Sequence, residues 1–538
     1  MATTTIQTKH LGQIRGKVAE GVTQFLGIKY ATLEDRLADA QLVEKRDGDT
    51  LDATKDGPTA ISPSFGCEVE LAAIQHKLAA KELTQSGIDC LNLNIAVPEG
   101  TTASSKLPVF FFIHGGGLQI GANSWPQLEF KRFVKLSADK NLPVIAVSIN
   151  YRLGVFGFLT SDELRKAGYK ANNGLRDQRV ALEWVRRHIE DFGGDPDNVT
   201  AAGESAGAGM ATSVTYHLKS EVALFKRAIA MSGSYLFTQA LPYDIHEQNY
   251  RQAILALGLE SASTEERIQA LLEKPAQELI ASLPPSILAA PAVDGDLVAS
   301  TATHAQTADR TSDLSEKRNW CTELMIGDCQ MDASIVGLIM PNLKETCAEK
   351  FTTAMNNVLP SQPDVAQRIL SEYGISRGMS DDEALPAVLD YINDICFFAP
   401  VLTLTRGWRG NSHVYYFNEG NPWEGPWKGR ATHILDVAYL TQNFQKFMTP
   451  SQQRVATAFA EDFFKFCHGI HPWPAVTDGD IATNFTARVY GPSSEGHDSR
   501  LVSEPYKGES HRRSILFDCN HAVSLDELAG VFGVFRTM

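Results

Sequence analysis

The sequence predicts an α/β fold built on a mostly parallel, doubly wound sheet. Three observations carry the prediction. The N-terminal half alternates short β-rich runs with helical patterns. The β-rich runs are almost continuously apolar, as strands buried on both faces must be. Between two of them lies a long amphipathic segment of helical period.

The first β-rich runs are 107–114 (LPVFFFIH) and 142–152 (LPVIAVSINYR), followed by 198–204 (NVTAAGE) and 225–234 (FKRAIAMSGS). Further runs lie at 322–327 and 413–418. In the amphipathic segment, Leu175, Leu182, Val185, Ile189 and Phe192 fall on one helical face, which is expected to pack on the sheet. Gly193-Gly194 followed by Asp195-Pro196 supplies the chemistry that stops a helix and feeds a turn into a strand. The regions of about 240–320 and 340–410 read as mainly helical insertions over the sheet. With no repeat, low-complexity segment or Pro/Ser-rich linker, residues 1–538 are expected to form a single domain.

Charge and composition narrow the function. The net charge is -15, and no Lys/Arg-rich stretch offers a phosphate-binding stripe, so nucleic acid is not an expected partner. The first thirty residues hold no signal-peptide core, and no stretch approaches the roughly 18 apolar residues of a membrane span. A cytoplasmic, soluble protein is expected. The eight cysteines form no CxxC pair and no Cys/His cluster of zinc spacing, so no metal is implied. The polar stretch after about residue 475 is expected to form surface loop and a C-terminal helix near Ser524.

The segment Gly203-Glu204-Ser205-Ala206-Gly207 follows a β-rich run directly and opens onto the helix-compatible sequence AGMATSVTYHLK. A serine on such a strand-to-helix turn is a nucleophile held in a strained elbow, where flanking glycines avoid the clash a Cβ would make. The helix N-terminus aims partial positive charge at the reacting centre. A second element, His114-Gly115-Gly116-Gly117, ends the run 107–113. Acyl transfer passes through an oxyanion, and consecutive glycines after a strand let backbone N–H groups converge on it. Gly116, Gly117 and Ala206 are the expected donors.

With these motifs in place, the chain resembles the type B carboxylesterase and cholinesterase family of α/β-hydrolases. Matching stretches include Gly27-Ile28-Lys29-Tyr30-Ala31, 89–96 (DCLNLNIA), 150–159 (NYRLGVFGFL), 173–186 (NGLRDQRVALEWVR), 192–200 (FGGDPDNVT) and 228–235 (AIAMSGSY). They run from the N-terminus to about residue 475. The resemblance implies an ester-cleaving serine enzyme acting on a small-molecule ester without metal or organic cofactor. It places the acid five residues beyond a strand-ending glycine, which selects Asp332 after Gly327, with Asp328 as the rival. Most relatives carry Glu there, followed nearby by Gly, so Asp332-Ala333 is a departure. The pattern His-x-x-Asp-x-x-Tyr selects His433, giving the chain order Ser205, Asp332, His433. The resemblance also makes Ser232 a hydrogen-bond partner of the acid, and Glu204 a residue that orders water or a polar substrate group.

Other positions depart from the resemblance. Cholinesterases hold a quaternary ammonium against a tryptophan between the first two family cysteines, whereas residues 68–89 between Cys67 and Cys90 contain no aromatic residue. Choline esters are therefore not expected substrates. Leu118-Gln119-Ile120 stands where relatives are often aromatic, which implies a differently shaped pocket. Cys67 and Cys90 match the positions of a disulfide in secreted relatives, and a cytosolic location would keep them reduced. The same triad also serves acyl transfer or lactone chemistry, and some relatives of this fold are non-catalytic binding proteins. Oligomeric state is not legible in the sequence.

Overall fold

The computed structural model describes residues 2–209, 211, 223–284, 286–287, 289–312, 320–506 and 511–538. Its centre is a 14-stranded sheet. Twelve strands form the continuous path: β1 (Ala2–Gln7), β2 (Gln13–Ala19), β3 (Val22–Lys29), β4 (Asn92–Pro98), β5 (Leu107–Ile113), β6 (Ile145–Ile149), β7 (Gly194–Glu204), β8 (Arg227–Met231), β9 (Glu323–Cys329), β10 (Asn411–Phe417), β11 (Ala487–Tyr490) and β12 (Ser499–Val502). Their spatial order is β1-β2-β3-β4-β6-β5-β7-β8-β9-β10-β11-β12. Along this path every pair from β6 through β11 is parallel, while β1 to β4, the β4–β6 pair and β12 are antiparallel.

The direction of winding reverses around β5, with β6 on one side and β7 on the other. In open α/β sheets the crevice at such a switch point, beyond the carboxyl ends of the strands, is where ligands bind. The register aligns these ends: Ile113 pairs with Gly203, Glu204 with Met231, Met231 with Gly327, and Gly327 with Tyr415. The glycine loop, the serine turn and the acid-bearing loop therefore leave the sheet along one edge.

Apolar strands demand cover on both faces. One face packs against helix α2 (Asn173–His188) and the 3-10 turn Ile189–Phe192, which bury Leu175, Leu182, Val185, Ile189 and Phe192. Gly193 closes that turn at φ 87°, a left-handed position suited to glycine. The other face packs against Lys131–Asp139 and Pro450–Cys467. Arg152 and Asp177 form a fully buried bidentate pair, Nε to Oδ2 at 2.9 Å and Nη2 to Oδ1 at 2.7 Å, tying the end of β6 to α2.

Helices occupy Tyr243–Ala256, Thr264–Glu273, Ala276–Ser282 and His304–Ala308 in the first inserted region; residues 313–319 lie outside the described residues. Helical structure from Pro341 to Gly407 fills most of the second. Contrary to the sequence reading that no stretch approaches a membrane span, the run 381–407 is long and apolar enough to do so. Its apolarity has another cause, since 89% of the apolar window is buried inside the fold. The C-terminal helix Leu525–Phe535 starts at Ser524, whose side chain caps it together with Glu527.

Candidate active site

Ser205 sits directly past β7, with φ at 56°. A non-glycine residue pays for that left-handed backbone, and the surroundings hold it there. Its N–H donates to Met231 O at 2.9 Å, and its carbonyl accepts from Gly209 N–H at 3.0 Å. A Cβ on Gly203 would fall 2.3 Å from Gly207 O, and one on Gly207 would fall 2.1 Å from Ile113 O. The elbow is therefore too tight for anything but glycine at both flanks. Residues 206–209 and 211 are helical, as the sequence suggested; residue 210 and residues 212–222 lie outside the described residues.

Across the crevice, Gly116 and Gly117 have φ of 95° and 60°. A Cβ on Gly116 would meet Ile120 O at 2.2 Å, because Gln119 and Ile120 N–H both fold back to Gly116 O at 3.0 Å. Among the described residues, the N–H groups of Gly116, Gly117 and Ala206 donate to no other loop or side-chain group. His114 fixes the base of this loop. Its ring stacks on Tyr151 at 4.5 Å and its Nδ1 donates to Gly115 O at 3.0 Å. Burial lowers its pKa to about 4, so it stays neutral.

The structure brings Asp332 and His433 together. Nδ1 of His433 lies 2.8 Å from Asp332 Oδ1, while Cys329 N–H donates to Oδ2 at 2.8 Å. Both side chains are buried. His433 N–H donates to Ser334 Oγ at 3.0 Å, and the ring meets Phe397 edge-on at 5.5 Å. Asp328 points elsewhere, to Arg513 Nη2 at 3.3 Å. The free nitrogen of the histidine, Nε2, lies 3.2 Å from Glu204 Oε1. No hydrogen bond joins His433 to Ser205 Oγ among the described residues.

One expected contact is corrected. Ser232 Oγ does not bond to Asp332; it donates to Asp436 Oδ2 at 3.4 Å and lies 3.6 Å from Cys329 Sγ. The reason is geometric: Asp332 spends both oxygens on His433 and Cys329, while Asp436 Oδ2 also accepts from Tyr415 OH at 3.1 Å. The motif His433-x-x-Asp436 named this aspartate without giving it a role.

The site is crowded with buried carboxyls. Burial, reinforced by Asp332, raises Asp436 to about 7. Burial, then Asp436, Glu70 and Asp332, holds Glu204 well above the usual carboxyl range. Glu70, on helix α1 (Gly66–Ile74), is raised by burial to about 7 against an opposing hydrogen bond from Gln127. No local sequence signal marks Glu70, whose environment is set by the packing of its helix. Cys67 and Cys90 are not joined to each other and stand as thiols. Among the described residues no group of three or more His, Cys, Asp or Glu could hold a metal ion.

A parallel sheet with its nucleophile-type elbow at the switch point defines an α/β-hydrolase. Within that class, the profile of the carboxylesterase family matches residues 2–472, and the chain belongs to that family. Lipase 3 of Yarrowia lipolytica is 28% identical over 466 residues, covering 84% of this chain and 86% of the relative. A para-nitrobenzyl esterase of Bacillus subtilis is 39% identical over 232 residues, 43% of this chain and 44% of that protein. The crystal structure of a Geobacillus stearothermophilus carboxylesterase superposes with a TM-score of 0.73 at 23% identity, covering 95% of this chain and 99% of the other. The protein is thus a carboxylic ester hydrolase by family, with the α/β-hydrolase fold.

Proposed function

We propose that this hydrolase works through an acyl-enzyme on Ser205, with His433 as general base and acid and Asp332 as its orienting carboxylate. The observation that carries the reading is the 2.8 Å contact between His433 Nδ1 and Asp332 Oδ1 beside a serine held at positive φ. Asp332 fixes the tautomer that leaves Nε2 free to accept a proton, and it stabilises the imidazolium that follows. Nε2 takes the Ser205 proton as Oγ attacks the ester carbonyl. The N–H groups of Gly116, Gly117 and Ala206 stabilise the oxyanion. The imidazolium then protonates the departing alcohol, and water, activated the same way, releases the acid. The Ser205–His433 hydrogen bond that proton transfer requires is of the kind that tightens with the ester in place.

A panel of p-nitrophenyl esters from acetate to decanoate tests the reading. Wild type is expected to hydrolyse at least one chain length, with Ser205→Ala reduced to background. Hydrolysis that survives Ser205→Ala would overturn it. A second reading follows from the 9% exposure of Ser205. A site that excludes water lets another acceptor intercept the acyl group. Ester product formed from added alcohol, in place of free acid, would identify that acyl transfer.

A further inference from the structure

The helical run 381–407 is interrupted by a π-helical turn, Asp394–Phe398, and this turn reaches both halves of the acid–base pair. Just before it, Asn393 Oδ1 accepts from Ala333 N–H at 3.1 Å, one residue past Asp332. Inside it, the Phe397 ring meets His433 edge-on at 5.5 Å. The acid and base loops are also joined directly, Met331 N–H to Ala431 O at 2.8 Å and His433 N–H to Ser334 Oγ at 3.0 Å. Those bonds fix the backbones. Rotation of the His433 ring is limited instead by its contact with Asp332 and by the Phe397 ring beside it.

π-helical turns are rare and short, and this one is held from outside. Asp390 and Asp394 stand four residues apart, a spacing at which like charges destabilise a helix. Arginines from two other segments neutralise them. Fully buried Asp394 accepts from Arg512 Nε and Arg513 Nε, each at 2.9 Å, and from Tyr373 OH at 3.0 Å. Arg512 Nη1 also lies 3.4 Å from Asp390 Oδ2, so this one guanidinium spans both carboxylates. Asp390 Oδ1 accepts from Arg430 Nη2 at 2.8 Å, which ties the helix to the base loop three residues ahead of His433. Arg513 Nη2 extends the cluster to Asp328, 3.3 Å away near the end of β9, the strand that leads to Asp332. Arg512 lies past residue 472, outside the stretch matched by the family profile.

We propose that Arg512 and Arg430 are positioning residues for ester cleavage: through Asp390 and Asp394 they clasp the helix so that Phe397 keeps the His433 ring turned toward Asp332. The inference rests on the triad reading above. A misplacement of about 1 Å set by a distant change can cost on the order of 10²-fold in rate, and it is felt in kcat rather than in ester binding.

The test measures kcat and KM on p-nitrophenyl acetate and butyrate, with thermal melts to verify folding. Arg512→Met leaves Asp394 paired with Arg513, so the buried carboxyl is not stranded. Arg512→Met and Phe397→Leu are each expected to lower kcat about tenfold or more on both esters, with KM within about twofold of wild type. Arg430→Met, at the more exposed end of the clasp, shows the same split with a smaller loss. The double variant Arg512→Met/Phe397→Leu falls no further than the worse single one, because both changes act through one ring. Wild-type kcat in Phe397→Leu overturns the inference whether or not the arginine variants fold, as does wild-type kcat in folded Arg512→Met or losses that multiply in the double variant. A loss confined to one acyl length also overturns it, since Phe397 would then be a wall of the acyl pocket. Failure of the triad reading looks different: Ser205→Ala keeps its activity, or wild type turns over no ester at all.

Discussion

Asp332→Asn removes one charge and adds two N–H donors where the structure has room for neither. Both carboxylate oxygens already face donors, His433 Nδ1–H and Cys329 N–H, each at 2.8 Å. The amide must therefore turn its NH2 toward one of them. Facing Cys329 it opposes a fixed backbone donor, which cannot move without breaking the end of β9. Facing His433 it forces Nδ1 to become the acceptor, and the proton moves to Nε2. A histidine protonated at Nε2 cannot accept the Ser205 proton. The expected loss in kcat is about 10³–10⁴, equivalent to roughly 4–5.5 kcal/mol of transition-state stabilisation. KM should change little, because the ground-state ester does not touch Asp332. Initial rates on p-nitrophenyl butyrate, with thermal melts to verify folding, measure both quantities. Asp328→Asn is the companion: it withdraws one carboxylate facing buried Arg513, which keeps its 2.9 Å pair with Asp394, and is expected to cost about 1–3 kcal/mol of stability. Its kcat should stay within about tenfold of wild type. Retained kcat in Asp332→Asn, with loss in Asp328→Asn, would refute the assignment of the acid.

Further expectations follow from single contacts. Gly116→Ala places a methyl 2.2 Å from Ile120 O at a backbone φ of 95°, so kcat should fall about 10²–10³ as the oxyanion loop is displaced, and the melting temperature should fall with it. Retained kcat would remove Gly116 from the oxyanion site. Arg152→Ala strands Asp177 in the core and should cost about 3–5 kcal/mol, read by urea unfolding. Asp436 is raised from 3.8 to about 7, so the native state binds its proton more tightly than the unfolded chain does. Its contribution to stability is therefore lost as pH rises from about 4 to about 7. Asp436→Asn abolishes that slope, and the melting temperature of the variant relative to wild type should climb across this window; a flat difference contradicts the shift. Peptide mapping of protein alkylated without reduction should find Cys67 and Cys90 unlinked.

The parts of the fold legible in the sequence are those whose signal is local. The run 107–113 is a strand because every residue in it is apolar or proline, and it is buried nearly throughout. The elbow at Ser205 was legible because Gly203 and Gly207 meet backbone within a few residues or on the adjacent strand. By contrast, β1 gives little signal, because ATTTIQ lies at the sheet edge and of its two partly buried positions only Ile6 is strongly apolar. Long-range partnerships were equally silent. Nothing near Asp328 announces Arg513, and nothing near Ser232 announces Asp436 two hundred residues on. Glu70 is the instructive omission: with Glu68 two residues before it, it reads as one of a pair of solvated carboxylates, and only the docking of α1 buries it.

The central claim is that Ser205 carries the covalent intermediate, and covalent capture tests it most directly. The protein is incubated with a fluorophosphonate, its intact mass recorded, and the modified peptide sequenced. A single adduct on Ser205 is expected, absent from Ser205→Ala and slowed when His433 is replaced by Ala. An adduct on another residue, or none from a protein that still hydrolyses esters, would contradict it.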